Sequence, residues 1–447
     1  MNRLKRFGSN LRTSFWFVPT LIVALSIVLA VALIEADYSE NQQWLARWPR
    51  LFGANAEGAR GILTTIAGSM MAVVGVTFSM TLVTLALASS QYTSRILRNF
   101  MRDRVTQVVL GIFAGIFTYC LIVLRTIRGG DETGFVPSLA VSFSVMLAIG
   151  GIAALIYFIH HIASSIQASS IIASVADETM ATVDRLFPAA PEQEPNADDE
   201  DQAPLSLPER NWQAVQVKEN GYIQSVDNAA LLSLAREHKT IVRMERGVGM
   251  FVVHGTTLAS LALTNPPEAN VIATLQAAYS VSRHRSLEQD AAFGIRQIVD
   301  MALRALSPSV NDTTTAVMCV DYLTAILARL ASRNIPSSHQ YEDGELRVIV
   351  IGPTFASLVA ESFDQIRGSA QANVGIMLRM LGALQTIAGL TANPSRRRIL
   401  REEVECIDEL AARTIESPYD LIRFENRLAH VREAFDTAPV LSQSKEV

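Results

Sequence analysis

Between Gly61 and Ser94 the chain runs for 34 residues without one acidic or basic side chain. As a single helix this stretch would be ~50 Å long at ~1.5 Å per residue. A bilayer core is only ~30 Å thick. Such a segment spans a membrane and continues out of it as helix. Its two faces differ. Gly61, Thr65, Gly68, Ala72, Gly75 and Ser79 recur every three or four residues, a stripe small enough for close helix–helix contact. Thr77, Thr81, Thr84, Gln91 and Arg95 form a second stripe roughly opposite, and are candidate pore-lining residues if subunits assemble around an axis.

Three further uncharged runs accompany it. Phe15–Ile34 and Val105–Leu124 have 20 residues each, and Thr133–Ile159 ends at His160-His161. Spans are expected at about 15–34, 62–90, 105–124 and 135–160. The chain is 49% hydrophobic and its mean hydropathy is +0.25, more apolar than a soluble protein of 447 residues. The first run follows Arg3, Lys5, Arg6 and Arg12, as a signal peptide would. It exceeds the ~7–15 residues of a signal core, and Glu35-Ala36-Asp37 is a poor cleavage site, so it reads as a retained span. Four Lys or Arg sit in the N-terminal tail and four in the 95–104 loop, against three among four acids in 35–60 and two in 125–132. Positive charge stays inside, which places both termini in the cytoplasm.

Past His161, apolar residues from Ile162 to Leu186 keep near-helical spacing, as an amphipathic stalk that completes a membrane domain over 1–187. Residues 188–208 hold five prolines and the run Asp198-Asp199-Glu200-Asp201, an acidic linker. A C-terminal cytoplasmic domain over 209–447 follows. Its β-rich part, about 211–261, reads as two hairpins, 214–218 with 222–226 around Asn220-Gly221, and 240–246 with 250–256. Its helical part, about 267–436, contains one buried strand, Leu346–Ile351, and ends in long helices over about 354–390 and 394–436. The fold class is a polytopic α-helical membrane protein with four transmembrane helices and an α+β cytoplasmic domain.

No catalytic motif is visible: no phosphate-binding glycine loop, nucleophile elbow, HExxH or CxxC. An enzyme is not expected, nor a metal or cofactor. Adjacent His160 and His161 diverge by ~100° on a helix, a poor ligand pair. The acidic run reads as solvated chain. Arg396-Arg397-Arg398 reads as a surface cluster at a helix start, or as a contact to anionic lipid. A net charge of −5 argues against nucleic acid, and three scattered cysteines fit a reduced compartment. The lipid bilayer is the partner that the spans require.

Residues 283–316, RHRSLEQDAAFGIRQIVDMALRALSPSVNDTTTA, resemble the signature of a family of bacterial membrane proteins known as domain of unknown function 2254. SRILRNFMRDRVTQVVLG, beginning at Ser94, and GYIQSVD at 221–227 resemble the same family. The resemblance covers nearly the whole chain except the acidic linker and the tail after Ala438. It implies a multi-pass protein of the bacterial inner membrane, and carries no activity or catalytic residue. Read physically, 283–316 is a helix–helix corner. Asp290, Gln297, Asp300 and Arg304 share one helix face, with Arg296–Asp300 and Asp300–Arg304 at i,i+4 spacing. Asn311 and Asp312 crowd the next helix start, where free N–H groups attract anions but the Asp312 carboxylate repels them. The corner is either a braced structural joint or a ligand or subunit site.

Spans without Asp, Glu, Lys or Arg disfavour a coupled transporter but suit a passive pore. Two functions stay open: a homo-oligomeric channel with a cytoplasmic regulatory domain, or a membrane-anchored sensor or scaffold whose cytoplasmic domain binds a ligand or partner.

Overall fold

The structure, a computed structural model, describes residues 16–38, 55–91, 104–128, 135–165, 167–189, 211–371 and 373–437. The chain divides into two compact units, 1–167 and 168–447.

The first unit holds α1 (Phe17–Tyr38), α2 (Ala56–Gln91), α3 (Arg104–Thr126) and α4 (Ser138–Ser165). All four are long and apolar enough to cross a membrane. α3 is the central helix and packs against the other three. Its Phe113, Tyr119, Cys120 and Val123 are fully buried. Hydrophobicity alone does not draw helices together in lipid, so close backbone approach must. Gly111 and Gly115 provide it against α1. A Cβ at Gly111 would stand 3.0 Å from Pro19 Cα, and one at Gly115 would stand 2.5 Å from Ser26 Oγ. The helix ends are tied by polar contacts. Asp37, at the end of α1, accepts from the Leu139 and Ala140 N–H groups at 3.2 and 3.1 Å, so it caps α4. Tyr119 Oη donates to Ala140 O at 2.8 Å, and Tyr38 stacks on Phe135.

The second unit opens with α5 (Ala168–Leu186), the segment expected as a stalk continuing the fourth span. It starts anew after α4 ends at Ser165. Its apolar stripe, including Ile172, Val175 and Val183, is buried against helices of the second unit. Periodicity identified the stripe but not what it faces. Behind α5, Asn334 N donates to Pro188 O at 2.9 Å. Residues 190–210, nearly all of the expected linker, lie outside the described residues.

The strands are β1 (Trp212–Gln216), β2 (Gly221–Val226), β3 (Val242–Met244), β4 (Phe251–Val252), β5 (Thr257–Ala262), β6 (Tyr279–Ser282), β7 (His339–Glu342) and β8 (Glu345–Ile349). They make a five-stranded sheet, β1-β5-β3-β8-β7, and a three-stranded sheet, β4-β2-β6. All pairs are antiparallel except β3 with β8. Neither expected hairpin forms. β1 and β2 enter different sheets, as do β3 and β4. Asn220 makes no tight turn; its Oδ1 accepts from His254 N at 2.7 Å, and Gly221 lies against the Ser282 backbone, 2.6 Å from Ser282 O for an added Cβ. β8 is not a lone strand: β7 precedes it across an Asp343-Gly344 turn with φ of 54° and 77°. One core between the sheets holds Val215, Ile223, Val242, Leu261 and Val348. It is closed by Leu231 and Leu234 of α6 (Asn228–Glu237) and by Leu275 of α7 (Ala269–Ala277).

The remaining helices are α8 (Ala291–Ala305), α9 (Thr313–Ala331), α10 (Phe355–Ser369), α11 (Val374–Gly389), α12 (Pro394–Thr414) and α13 (Pro418–Asp436). The two long C-terminal helices are thus four. Asn373 and Ser417 cap α11 and α13 inside the expected runs, and Pro418 suits a first helical position. α9 is a fifth helix long and apolar enough to span a membrane, beyond the four expected. It packs against α5, α8 and α11, with Cys319, Val320, Leu323, Ile326 and Leu327 fully buried.

Candidate functional site

The threonine face of α2 belongs to the side that faces the core. Ala59, Leu63, Ala67 and Met70 are buried, and Thr77 and Thr84 continue their seven-residue rhythm with 1% and 4% exposure. Thr81 is half-buried. Each hydroxyl donates to its own helix: Thr77 to Val73 O at 2.7 Å, Thr81 to Thr77 O at 2.8 Å and Thr84 to Met80 O at 2.9 Å. Bonded in this way each hydroxyl spends its proton on its own helix and keeps only its oxygen lone pairs for another group. Arg95 and the Gln91 side chain lie outside what is described. The small-residue stripe is on the opposite side. Gly61, Thr65, Gly68, Ala72, Gly75 and Ser79 are all exposed, and nothing lies within 4 Å of a Cβ built on Gly61, Gly68 or Gly75. Among the described residues this stripe packs on no helix of the same chain.

The 283–316 segment is bonded on every side. Asp290 is 5% exposed and caps α8 through Phe293 N at 3.0 Å. Its two oxygens also take Arg285 Nε at 2.8 Å and Nη2 at 3.0 Å, and that guanidinium lies 5.0 Å from the Phe293 ring. Gly249, with φ of +83°, makes room for the pair: a Cβ there would stand 2.5 Å from Asp290 Oδ2. β2 holds the loop through Gln224 Nε2 to His284 O and through Val226 N to Gln289 Oε1. α5 holds it through Thr182 Oγ1 to Leu287 O and Arg185 Nη2 to Glu288 O. At Gly294, an added Cβ would stand 2.0 Å from Thr179 Oγ1, so α8 and α5 meet almost backbone to backbone.

Further along α8, Arg296 pairs with Asp300 at 2.9 Å and with Glu361 of α10 at 3.3 Å. Gln297 is buried and Arg304 is exposed. At the start of α9, Asn311 takes φ of 48°, and Asp312 caps the helix. Asp312 accepts from Thr315 Oγ1 and N, and the hydroxyl, then the N–H, hold its carboxyl below the usual carboxylate range. The helix start considered for an anion is filled by the chain's own carboxylate. The corner therefore comprises three bonded sets, around Asp290, Arg296 and Asp312.

Three polar groups were not legible in the sequence. Arg396, expected at the surface, is 2% exposed. It donates to Leu330, Ala331 and Arg333 carbonyls at 3.3, 3.1 and 3.0 Å, at the C-terminus of α9, and lies over the Phe355 ring. Arg397 likewise donates to Ala388 O and Phe435 O. These arginines cap helix ends, which need cationic donors. Glu403 is 7% exposed. Its Oε2 accepts from Arg367 Nη1 at 3.1 Å, while its Oε1 has no hydrogen-bond partner among the described residues. Burial pushes this carboxyl up to about 7 against the pull of Arg367, with Asp364 adding to the rise.

Residues 12–386 match the model of a family described as predicted membrane protein, DUF2254. Uncharacterized proteins of Mycobacterium tuberculosis (strain H37Rv) and Mycobacterium bovis are each 32% identical to the chain over 423 residues. That is 92% of this chain and 79% of each relative. No solved structure matches. With four long apolar helices in its first unit and a family match over most of its length, the chain belongs to the DUF2254 family of multi-pass membrane proteins.

Proposed function

We propose that the protein is a non-catalytic, membrane-anchored scaffold or sensor that assembles with copies of itself. α1 to α4 span the bacterial inner membrane, and copies meet along the small-residue face of α2. Both termini and the mixed α/β unit are cytoplasmic, and that unit binds a ligand or partner. The observation that carries this reading is the open face at Gly61, Gly68 and Gly75. Three successive small-xxx-small pairs on the outside of a lipid-facing helix suit close contact with another helix. The arginine-rich N-terminal tail and 95–104 segment support the orientation. The pore reading is weaker, because Thr77 and Thr84 face their own unit's core and bond to their own helix.

The test is cross-linking in native membranes. Gly68→Cys and Gly75→Cys should trap dimers or higher species, and Leu85→Cys should trap fewer. Chains that stay monomeric at all three positions would remove the assembly. Ion flux through purified protein in liposomes would restore the pore.

A further inference from the structure

In the second unit, three exposed large apolar side chains stand close together in the chain. Met250, Phe251 and Val253 are 38%, 54% and 49% exposed within four consecutive residues. Phe251 lies on β4, the edge of the three-stranded sheet, and Met250 and Val253 flank it. The alternation of a strand places Phe251 and Val253 on one face, opposite Val252, while Met250 sits at the turn, where its Sδ accepts from Gly247 N. Val252 and its neighbour Ile223 point into the core, with 1% and 0% exposure. Phe251 and its cross-strand partner Tyr222 point the other way, and their rings meet edge to face at 5.0 Å. Nothing in the second unit's own core calls for an aromatic pair on that outer face.

Basic residues flank the patch. Lys218 and Arg283 are exposed, and Arg246 is half-buried at the start of the turn that Met250 N closes onto Gly247 O. The backbone brings them near: Val217 pairs with Thr256 and Gly255 beyond β4, and Gly221 lies against Ser282. Of the acids, Glu245 is taken by Arg243 and Ser260, which leaves Glu219. This local excess of cations stands in a chain of net charge −5.

We propose that the β4 edge is a foot that rests on the anionic bilayer surface. Phe251, Tyr222 and Val253 enter the interface between headgroups and acyl chains. Lys218, Arg246 and Arg283 meet lipid phosphates. Aromatic and aliphatic side chains ringed by cations suit that boundary better than water. Charge complementarity selects lipid over an acidic protein, because an acidic partner would leave the apolar centre unfilled. The surface is also always at hand: two residues separate α5 from α4, a helix long and apolar enough to span, so the bilayer is a tethered partner at high effective concentration.

The test uses the full chain with Cys406→Ser, since Cys406 is exposed whereas Cys120 and Cys319 are buried. Phe251→Cys and, separately, Val253→Cys are labelled with an environment-sensitive fluorophore. The protein is reconstituted in phosphatidylcholine vesicles with one third phosphatidylglycerol. Emission should shift to the blue, and lipids spin-labelled near the headgroup should quench most of it. Lys218→Gln, Arg246→Gln and Arg283→Gln should each weaken docking by about fivefold. Ala214→Cys, exposed on β1 of the other sheet, should report water throughout. Water-like emission at both 251 and 253 would overturn the proposal. A blue shift without lipid quenching would overturn it too, since a second copy or another protein would then cover the patch.

Discussion

Two helices of the membrane unit carry glycines at close-packing spacing, and they meet different fates. On α3, Gly111 and Gly115 are filled by α1, with Pro19 and Ser26 within 3.0 Å of where a Cβ would be. On α2, Gly61, Gly68 and Gly75 look onto open space. The longer and more regular stripe is the one without a partner among the described residues of the chain. Spacing of small residues says that a helix can be approached; it does not say by what. The shorter motif is used to build the subunit, and the longer one is left over once the subunit is built.

The sharpest way to break this contrast is to fill both stripes. Gly115→Leu must push α1 away from α3 and should cost about 3 kcal/mol of stability. Thermal unfolding in detergent should show it as a markedly lower midpoint. Gly68→Leu should leave that midpoint unchanged and instead reduce the cross-linked species in membranes. Equal losses of stability in the two variants would mean that α2 packs on its own chain after all, and the distinction between a used and a spare stripe would fail.

The second unit repeats the contrast between filled and unfilled in its buried carboxylates. Asp290 has both oxygens bonded, to Arg285 and to Phe293 N. Glu403 keeps one oxygen without a partner. Burial raises its pKa from 4.5 to about 7, so the folded state holds a proton that the unfolded state gives up between those values. Stability from this group is therefore full below about pH 4.5 and is lost as pH rises through 7. Glu403→Gln should raise stability above pH 7 by up to about 3 kcal/mol and flatten the dependence between pH 5 and 7. Denaturant titrations at pH 5 and pH 8 measure it. A variant that is less stable than the parent at pH 8 would show that the Arg367 pairing outweighs the burial.

Local signals in the sequence were reliable where the physics is local. Uncharged runs long enough for a bilayer gave α1 to α4, and Asp312 was visible at a helix start. Partners distant in sequence were not. Asn220-Gly221 suggested a hairpin, yet β1 and β2 pair with β5 and with β4 and β6. The pairing is decided by which faces share a core, and strand propensity does not encode that. The hairpin that does form, through Asp343-Gly344, carried the Asp-Gly signal of a tight turn but lay between weakly apolar strands. Arg396 looked solvent-exposed because its triplet is charged. Its use is the open carbonyl end of α9, some 60 residues earlier in the chain. At the 283–316 corner, Asp290, Arg296 and Asp312 were legible, while Gly249 and Thr179, which make the corner fit, come from elsewhere.

A smaller effect tests whether that corner is a joint or a site. Asp312→Ala removes the cap of α9 and should cost about 1 kcal/mol. The loss should vanish in acid, since a carboxyl held low by Thr315 contributes only while it is ionised. Unfolding monitored at neutral pH and at pH 2–3 gives the comparison. A variant with unchanged stability but altered ligand or partner binding would turn the corner from a structural element into a recognition element.

The smallest expected effect comes from the residues that first drew attention. Thr77, Thr81 and Thr84 donate only to carbonyls one turn back on α2. Valine has nearly the same shape and leaves those carbonyls in their helical bonds. Each hydroxyl bond is worth about 0.5–1.5 kcal/mol net, and threonine back-bonding slightly weakens a helix, so the two nearly cancel. Thr77→Val, Thr81→Val and Thr84→Val together should therefore shift the unfolding midpoint little and leave cross-linking at Gly68→Cys intact. The triple variant also separates the two faces of α2 most cleanly. If the threonine side is packing, removing three hydroxyls changes neither assembly nor permeability of liposomes. If the same variant abolishes an ion flux that the parent supports, water reaches those hydroxyls. The inward face of α2 would then be the working surface and the open glycine stripe only its scaffold.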